Sequence, residues 1–235
     1  MASIPSCVLG FSSHGLPTSS FNESFIRLFG NDHVIFLDDE RESVQISLDQ
    51  SSGSGFASQL TYLYSYFSAS IKLPGNYTAG VVVSYYTSNA DDTWIVYYVD
   101  DVPVRVVQKI DAMGGDFPSK AMTLFATIWD GSNWATGGGR DKVDYKYAPF
   151  TAKYSSFVLY GCSANPARED SAAEMCGNAT DLNSFNGLTA ERKGRLEKFR
   201  IEHLTYSYCD DRSRYPTPLP ECNLKGKSSR SIYRL

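Results

Sequence analysis

The sequence has few of the residues on which enzymes most often build a catalytic centre. It contains 3 His and 5 Cys in 235 residues, with no Cys-x-x-Cys pair and no His at ligand spacing from a Cys. We therefore expect no zinc site, no other metal and no cofactor. A Gly-x-Ser-x-Gly elbow is also missing, and Gly53-Ser54-Gly55 is interpreted as a turn.

Long hydrophobic runs and a basic N-terminal region are missing as well. No segment approaches the roughly 20 apolar residues of a membrane span, so no membrane partner is expected. The first basic residue is Arg27, and the apolar run of residues 8–11 is shorter than the about 7–15 residues of a signal sequence. The N-terminus therefore shows no convincing signal peptide.

Positive charge is scarce outside the C-terminus. The net charge is −4 with a pI near 5.4, which argues against a nucleic-acid partner. Residues 223–235 carry four basic side chains and no acidic one, and we interpret them as a solvated basic tail.

Aromatic residues are plentiful at 14%, and they favour β-strands and carbohydrate-stacking surfaces. Alternating or buried patterns without intervening helices predict an antiparallel β-sandwich. The predicted strands cover residues 43–48, 60–73, 79–87, 94–99, 102–107, 122–129 and 156–160. One helix is predicted, capped by Thr189, with Leu196, Phe199 and His203 on one face.

The cysteines indicate an oxidising compartment. Four of the five lie in the C-terminal third, at Cys162, Cys176, Cys209 and Cys222. Two local disulfides would each close a loop of about 15 residues, worth roughly 3 kcal/mol. Three glycosylation sequons are compatible with secretion; they begin at Asn22, Asn76 and Asn178.

No credible pair of catalytic carboxylates is present. Glycoside hydrolysis uses two acids that flank the scissile bond, and alternating acids on a strand would supply them. The alternating acids here are Asp38, Glu40 and Glu42, inside a charged cluster that is interpreted as a solvated hairpin tip. The acidic pairs at 91–92 and 100–101 are adjacent in sequence and are interpreted as turns.

The densest cluster of candidate binding residues runs from residue 127 to residue 139. Trp129 and Trp134 stand beside Asp130, Asn133 and three glycines. Indole surfaces next to hydrogen-bonding side chains suit a carbohydrate site, although both tryptophans could equally belong to the core. The three glycines are interpreted as a tight loop, not as a phosphate cradle.

This segment, with others, resembles the plant xyloglucan endotransglucosylase/hydrolases, which are members of glycoside hydrolase family 16. The longest matching block is GGDFPSKAMTLFATIWDGSNWATGGGRDKVDYKYAPFTAKY at 114–154. Further matches are LFGNDHVIFL at 28–37, YFSASIKLPGNYTAGVVVSYY at 66–86, YYVDDVPVRVV at 97–107 and FRIEHLTYSYCDDRSRYPTPLPEC at 199–222. The resemblance covers about residues 21–222.

The resemblance implies a concanavalin-like jelly-roll sandwich over residues 21–158, truncated by an internal deletion. It also implies a small C-terminal extension, with a helix and disulfides, over residues 159–222, and leaves residues 1–20 unmatched. The family pairs its cysteines in sequence order, which implies Cys162–Cys176 and Cys209–Cys222 and leaves Cys7 over. Family contacts to xyloglucan map onto Asn133, Trp134, Gly138 and Arg214, and we add Trp129 from its position.

The main departure from the family lies near residues 89–93. Family members carry a strand of the form H-D-E-I-D-F-E there, whose first Glu is the nucleophile and whose second is the acid/base. Here residues 85–94 read YYTSNADDTW and run directly from one matching segment into the next. The resemblance therefore implies that the catalytic residues are missing.

Three hypotheses follow for the function. The chain is an inactive member of the family, or a non-catalytic xyloglucan binder that uses Trp129, Trp134 and Arg214, or an incomplete version of an active enzyme encoded by a longer transcript. In each case the expected partner is xyloglucan or a related wall polysaccharide. The resemblance also implies a secreted, apoplastic protein, and we expect a monomer.

Overall fold

The structure is a computed structural model that describes residues 2–4, 16–88, 94–108, 110–116, 121–164 and 188–224. The strands are β1 (Ala2–Ile4), β2 (Phe25–Phe29), β3 (Val34–Phe36), β4 (Val44–Leu48), β5 (Ser54–Ser58), β6 (Thr61–Lys72), β7 (Val81–Ser88), β8 (Trp94–Val99), β9 (Val102–Gln108), β10 (Thr123–Asp130) and β11 (Phe150–Ala164). The α-helices of the described chain are α1 (Phe21–Ser24) and α2 (Ala190–His203).

Two antiparallel sheets form the predicted all-β jelly-roll sandwich. The five-stranded sheet has the order β1-β6-β11-β4-β3, and the four-stranded sheet has the order β2-β5-β10-β7. Among the strands that the structure describes, β8 and β9 pair only with each other. Within the described residues, β7 is therefore the last strand of the four-stranded sheet.

Aromatic rings fill the space between the two sheets. The Phe56 ring from β5 meets the Tyr154 ring from β11 edge-on at 5.4 Å, and Phe25 lies 4.8 Å from Phe157. All four side chains are at least 97% buried. Much of the aromatic content therefore serves the core, because edge-to-face contacts let large rings pack densely.

The strand predictions are largely confirmed, but one predicted turn and the start of one predicted strand need correction. Residues 54–58 form β5, so the interpretation of Gly53-Ser54-Gly55 as a turn is wrong. Gly55 suits this strand because a Cβ there would lie 2.9 Å from the Phe29 ring and 2.8 Å from the Ala126 carbonyl oxygen. Strand β11 begins at Phe150, six residues before the predicted start, and continues through an irregularity at residues 155–158.

The acidic cluster lies where it was predicted, at a hairpin tip. Strands β3 and β4 are antiparallel neighbours, and the turn between them holds Asp38 and Glu42. The Glu42 backbone N–H donates to the Asp38 carboxylate at 2.7 Å. The Asp38 carboxylate therefore stabilises this turn.

The C-terminal extension packs on the β8–β9 hairpin. Val96 and Tyr98 are buried against Leu188, and Leu196 of α2 covers them. Thr189 caps the helix as predicted, because its side chain accepts a hydrogen bond from the Arg192 N–H. The sequence placed this hairpin among the sandwich strands, but it forms a two-stranded sheet whose apolar face is covered by the extension.

The disulfide prediction is confirmed where the structure describes both cysteines. Cys209 and Cys222 are joined, with their Cα atoms 5.4 Å apart. Cys162 is also disulfide-bonded, and its predicted partner Cys176 lies outside the described residues. Cys7 and the basic tail from residue 225 lie outside them as well.

Candidate carbohydrate-binding site

Two tryptophans form an exposed pair at the end of β10. The ring centres of Trp129 and Trp134 are 5.9 Å apart, with an angle of 45° between the ring planes. Trp129 is 36% exposed and Trp134 is 58% exposed. Neither indole belongs to the core, so the core interpretation of these tryptophans is wrong, and their contact with a carbohydrate stays a prediction.

Asp130 fixes the loop that carries Trp134. Its carboxylate accepts hydrogen bonds from the Ser132 N–H and from the Tyr145 hydroxyl, both at 2.7 Å. Burial acts to raise the pKa of Asp130, but these bonds and the Lys142 ammonium outweigh it and hold the pKa below its ordinary value. The pKa of Tyr145 is raised to about 12, mainly by burial and secondly by the hydrogen bond to Asp130. Asp130 is therefore an ionised structural anchor.

Glycines allow the loop to close on itself. Gly137, Gly138 and Gly139 have φ values of 61°, 69° and 85°, which favour glycine over other residues. A Cβ on Gly139 would lie 2.5 Å from the Asn133 carbonyl oxygen. The Thr136 hydroxyl accepts from the Gly80 N–H at 2.9 Å and so ties the loop to the start of β7. The predicted tight loop is confirmed.

The tryptophan pair continues into an aromatic row on the outer face of the four-stranded sheet. Leu124, Ala126 and Ile128 of β10 point into the core. Strand alternation therefore places Phe125 and Trp129 on the opposite face. Tyr86 of β7 stacks on Phe125 at 5.3 Å, with 20° between the ring planes. Sequence reasoning missed Tyr86 and Phe125, although the period-two pattern of residues 123–129 held the signal.

Most of the predicted contact residues lie together. Asn133 and Gly138 are exposed in the same loop as Trp134. Arg214 lies elsewhere, in the C-terminal extension, with its guanidinium carbon 5.8 Å from the centre of the Tyr215 ring. Its backbone N–H donates to Asp211 at 3.0 Å. None of the contacts described for Arg214 reaches the tryptophan loop.

Carboxylates are nearly absent from the four-stranded sheet. Strands β2, β5, β7 and β10 contain a single acid, Asp130, at the last position of β10. Retaining glycoside hydrolysis uses two carboxyl groups about 5–5.5 Å apart. The strands of this sheet therefore present no such pair.

The described residues contain neither a metal-binding cluster nor a membrane-spanning helix. No group of three or more His, Cys, Asp or Glu side chains there could hold a metal ion. Within the same part of the chain, every helix is too short or too polar to cross a bilayer.

Comparison with known families gives two matching family models. The family model for glycosyl hydrolases family 16 matches residues 21–94 and 91–147. The family model for the xyloglucan endo-transglycosylase C-terminus matches residues 175–222.

Comparison with individual proteins gives relatives that this chain covers over most of their length. The probable xyloglucan endotransglucosylase/hydrolase protein 27 of Arabidopsis thaliana is 38% identical, over 92% of this chain and 82% of the relative. The probable protein 28 of the same plant is 34% identical, over 94% and 84%. Xyloglucan endotransglucosylase/hydrolase protein 2 is 32% identical, over 89% and 91%.

Among solved structures, an apo Crh5 transglycosylase is similar at a TM-score of 0.41 and 14% identity, over 64% of this chain and 88% of that chain. The family-model matches and the Arabidopsis relatives agree with the resemblance first seen in the tryptophan segment. The chain therefore belongs to the xyloglucan endotransglucosylase/hydrolase family, within glycosyl hydrolases family 16.

Proposed function

We propose that this chain neither cleaves nor transfers glycosidic bonds and that its remaining site binds xyloglucan without reacting with it. One observation carries the proposal. The sheet that displays the tryptophan pair has a single carboxylate, and this carboxylate is held ionised by Ser132 and Tyr145. A glycosyl-enzyme needs a nucleophile, and departure of the leaving oxygen needs an acid. Asp130 alone cannot serve as both the nucleophile and the acid.

The comparisons support a missing internal segment. The alignment with the protein 27 relative runs over 275 residues, whereas 92% of this 235-residue chain is about 216 residues. About 60 alignment positions therefore lack a counterpart here. The family-16 model also matches in two pieces that meet at residues 91–94, where the sequence departs from the family pattern.

The absence of catalysis is tested with purified protein and xyloglucan. We expect no transfer to labelled acceptor oligosaccharides and no release of reducing ends, at enzyme concentrations that give a clear signal with an intact relative. Detectable turnover would refute the proposal.

A transcript test distinguishes this chain from an incomplete version of an active enzyme. The messenger RNA of the source is read across the codons for Asn89–Asp92. A continuous reading as in this sequence supports an inactive product. An in-frame strand with two glutamates at that join would restore the active-enzyme hypothesis.

Binding is tested by affinity electrophoresis in gels that contain xyloglucan. The exposed tryptophan pair and the Tyr86–Phe125 stack offer apolar surfaces for sugar rings. We expect retarded migration in xyloglucan gels and unchanged migration in gels without polysaccharide. Equal mobility in both gels would remove the binding role and leave only the absence of catalysis.

We also propose that the protein is secreted to the cell wall as a glycoprotein. The Cys209–Cys222 disulfide supports an oxidising compartment. The sequon residues Asn22 and Asn76 are both exposed. Wall fractionation with an antibody, before and after glycosidase treatment, should find a wall-associated band that shifts on deglycosylation.

A further inference from the structure

Strand β7 leaves one side of the sandwich open to pairing. In the described sheet it has a neighbour, β10, on one side and none on the other. Its eight residues, VVVSYYTS, contain no charge and no proline. Natural proteins usually protect an exposed edge with lysine, proline or a short strand, and β7 has none of these devices.

The backbone N–H and C=O groups of β7 point alternately toward β10 and toward the open side of the strand. The Gly131 N–H donates to the Gly80 carbonyl, which makes these two residues a hydrogen-bonded pair of the β10–β7 ladder. Because antiparallel bonds alternate, the even-numbered residues of β7 face β10. The N–H and C=O groups of Val83, Tyr85 and Thr87 therefore point to the open side, whereas the Val81 N–H already donates to Thr78.

We propose that β7 pairs antiparallel with β7 of a second copy of this chain, across a two-fold axis at Tyr85. In this register Tyr85 faces Tyr85 of the other copy, and Val83 faces Thr87. The N–H groups of Val83, Tyr85 and Thr87 then donate to the carbonyls of the same three residues in the other copy. A shift by two residues would instead bring Thr87 opposite Val81, where the turn that begins at Thr78 occupies the backbone.

A second copy fits this edge better than an unrelated strand does. The pairing is isologous, so each copy uses its open edge once and the assembly closes at two. It brings no like charges together, because β7 has none, and it sets Ser84 beside Tyr86 of the other copy. The other edge strands of the two sandwich sheets are less suitable: β1 and β3 have three residues each, and β2 carries Arg27. The open edge thus favours a dimer over the monomer expected from the sequence.

Sedimentation of matched variants tests the pairing. The wild-type chain should sediment at twice its mass of 26.1 kDa. Thr87→Pro removes an N–H that faces the open side and no bond to β10, so it should give a folded monomer. Thr87→Ala keeps the N–H and should remain a dimer.

A monomeric wild type overturns the proposal, and so does a folded, dimeric Thr87→Pro variant. If Thr87→Pro does not fold, Ser84→Lys replaces it. This variant sets two like charges diagonally across the two-fold axis and should dissociate more readily than wild type. A folded Ser84→Lys dimer as tight as wild type would contradict the proposal.

Disulfide trapping tests the register in a Cys7→Ser background. Ser84 and Tyr86 of opposite copies would form a non-hydrogen-bonded pair, with Cα atoms about 4.5 Å apart, which permits a disulfide. An oxidised mixture of a Ser84→Cys chain and a Tyr86→Cys chain should yield a covalent dimer, and each chain alone should stay uncoupled. Absence of cross-linking in the mixture, or coupling of the Ser84→Cys chain to itself, overturns the register.

Discussion

At the scale of single residues, Trp134 is the side chain that should contribute most to polysaccharide binding. It is the more exposed member of the tryptophan pair, so more of its ring is available to a sugar. Trp134→Ala should weaken xyloglucan binding about 5- to 10-fold, equivalent to roughly 1–1.4 kcal/mol of lost ring contact. Affinity electrophoresis at several xyloglucan concentrations measures the change.

The control for Trp134 is an exposed aromatic on the other sheet. Tyr160 of β11 is 36% exposed, like Trp129, but it belongs to the five-stranded sheet. Tyr160→Ala should leave retardation in the gel unchanged. Equal losses from both substitutions would indicate a nonspecific aromatic effect and would contradict the assignment of the site.

A second residue-scale prediction concerns Asp49, which the sequence did not single out. Its carboxylate accepts from the Ser51 hydroxyl at 2.6 Å and lies 3.0 Å from Nε2 of His33. The Ser51 and His33 bonds hold the pKa of Asp49 well below its ordinary value. A depressed pKa in the folded state stabilises the fold above the unfolded pKa of about 3.9, and this stabilisation fades as the pH falls below it.

Asp49→Asn should therefore lower the melting temperature at pH 6, and the difference from wild type should shrink between about pH 4 and pH 2. Thermal unfolding across this range measures it. Asp39→Asn, in the exposed turn between β3 and β4, is the control and should give a small difference. A gap between wild type and Asp49→Asn that widens as the pH falls would contradict the sign.

At the scale of elements, the tryptophan loop depends on its glycines in unequal ways. Gly138 and Gly139 both have positive φ, so alanine strains the backbone at either position by roughly 1 kcal/mol. Only at Gly139 would the added Cβ also meet the Asn133 carbonyl, while the space around Gly138 is open. Gly139→Ala should therefore displace the loop and reduce xyloglucan binding more than Gly138→Ala does.

Binding and stability are measured together for these two variants. Gly138→Ala should lose about 1 kcal/mol of unfolding free energy and keep most of its affinity, although its position was matched to a family contact. Gly139→Ala should lose more of both. An equal effect on affinity would show that the contact at residue 138, rather than loop shape, dominates binding.

The individual strands differ in how well the sequence predicts them. Residues 61–72 and 123–130 were predictable because their apolar and aromatic runs end at clear turn signals. Strand β5 was not, because Gly55 suggests a turn unless the close approach of Phe29 is known. The aromatic row was only half predictable. Alternation places Phe125 on the same face as Trp129, but the stack with Tyr86 depends on the register between β7 and β10.

At the scale of the whole molecule, we propose one physical origin for the open edge of β7 and for the proposed loss of catalysis. The four-stranded sheet ends at β7, and the next described strand, β8, joins a separate hairpin. An additional strand beside β7 would cover the open N–H groups and could carry carboxylates on the face that displays Tyr86 and Trp129. This predicts that one insertion would change both catalysis and assembly.

The insertion tests that link directly. The segment of an intact relative that carries H-D-E-I-D-F-E and its following strands is placed between Asn89 and Asp92. The chimera should gain transglucosylation or hydrolysis at least about 10³-fold above the original chain, because a nucleophile and an acid are restored. It should also sediment as a monomer, because the edge of β7 is then paired.

The matched control replaces both inserted glutamates with glutamine: it should remain inactive yet monomeric, which separates the chemical role of the segment from its structural role. A folded chimera without turnover would show that the remaining cleft of this chain no longer supports the reaction even when the carboxylates are present.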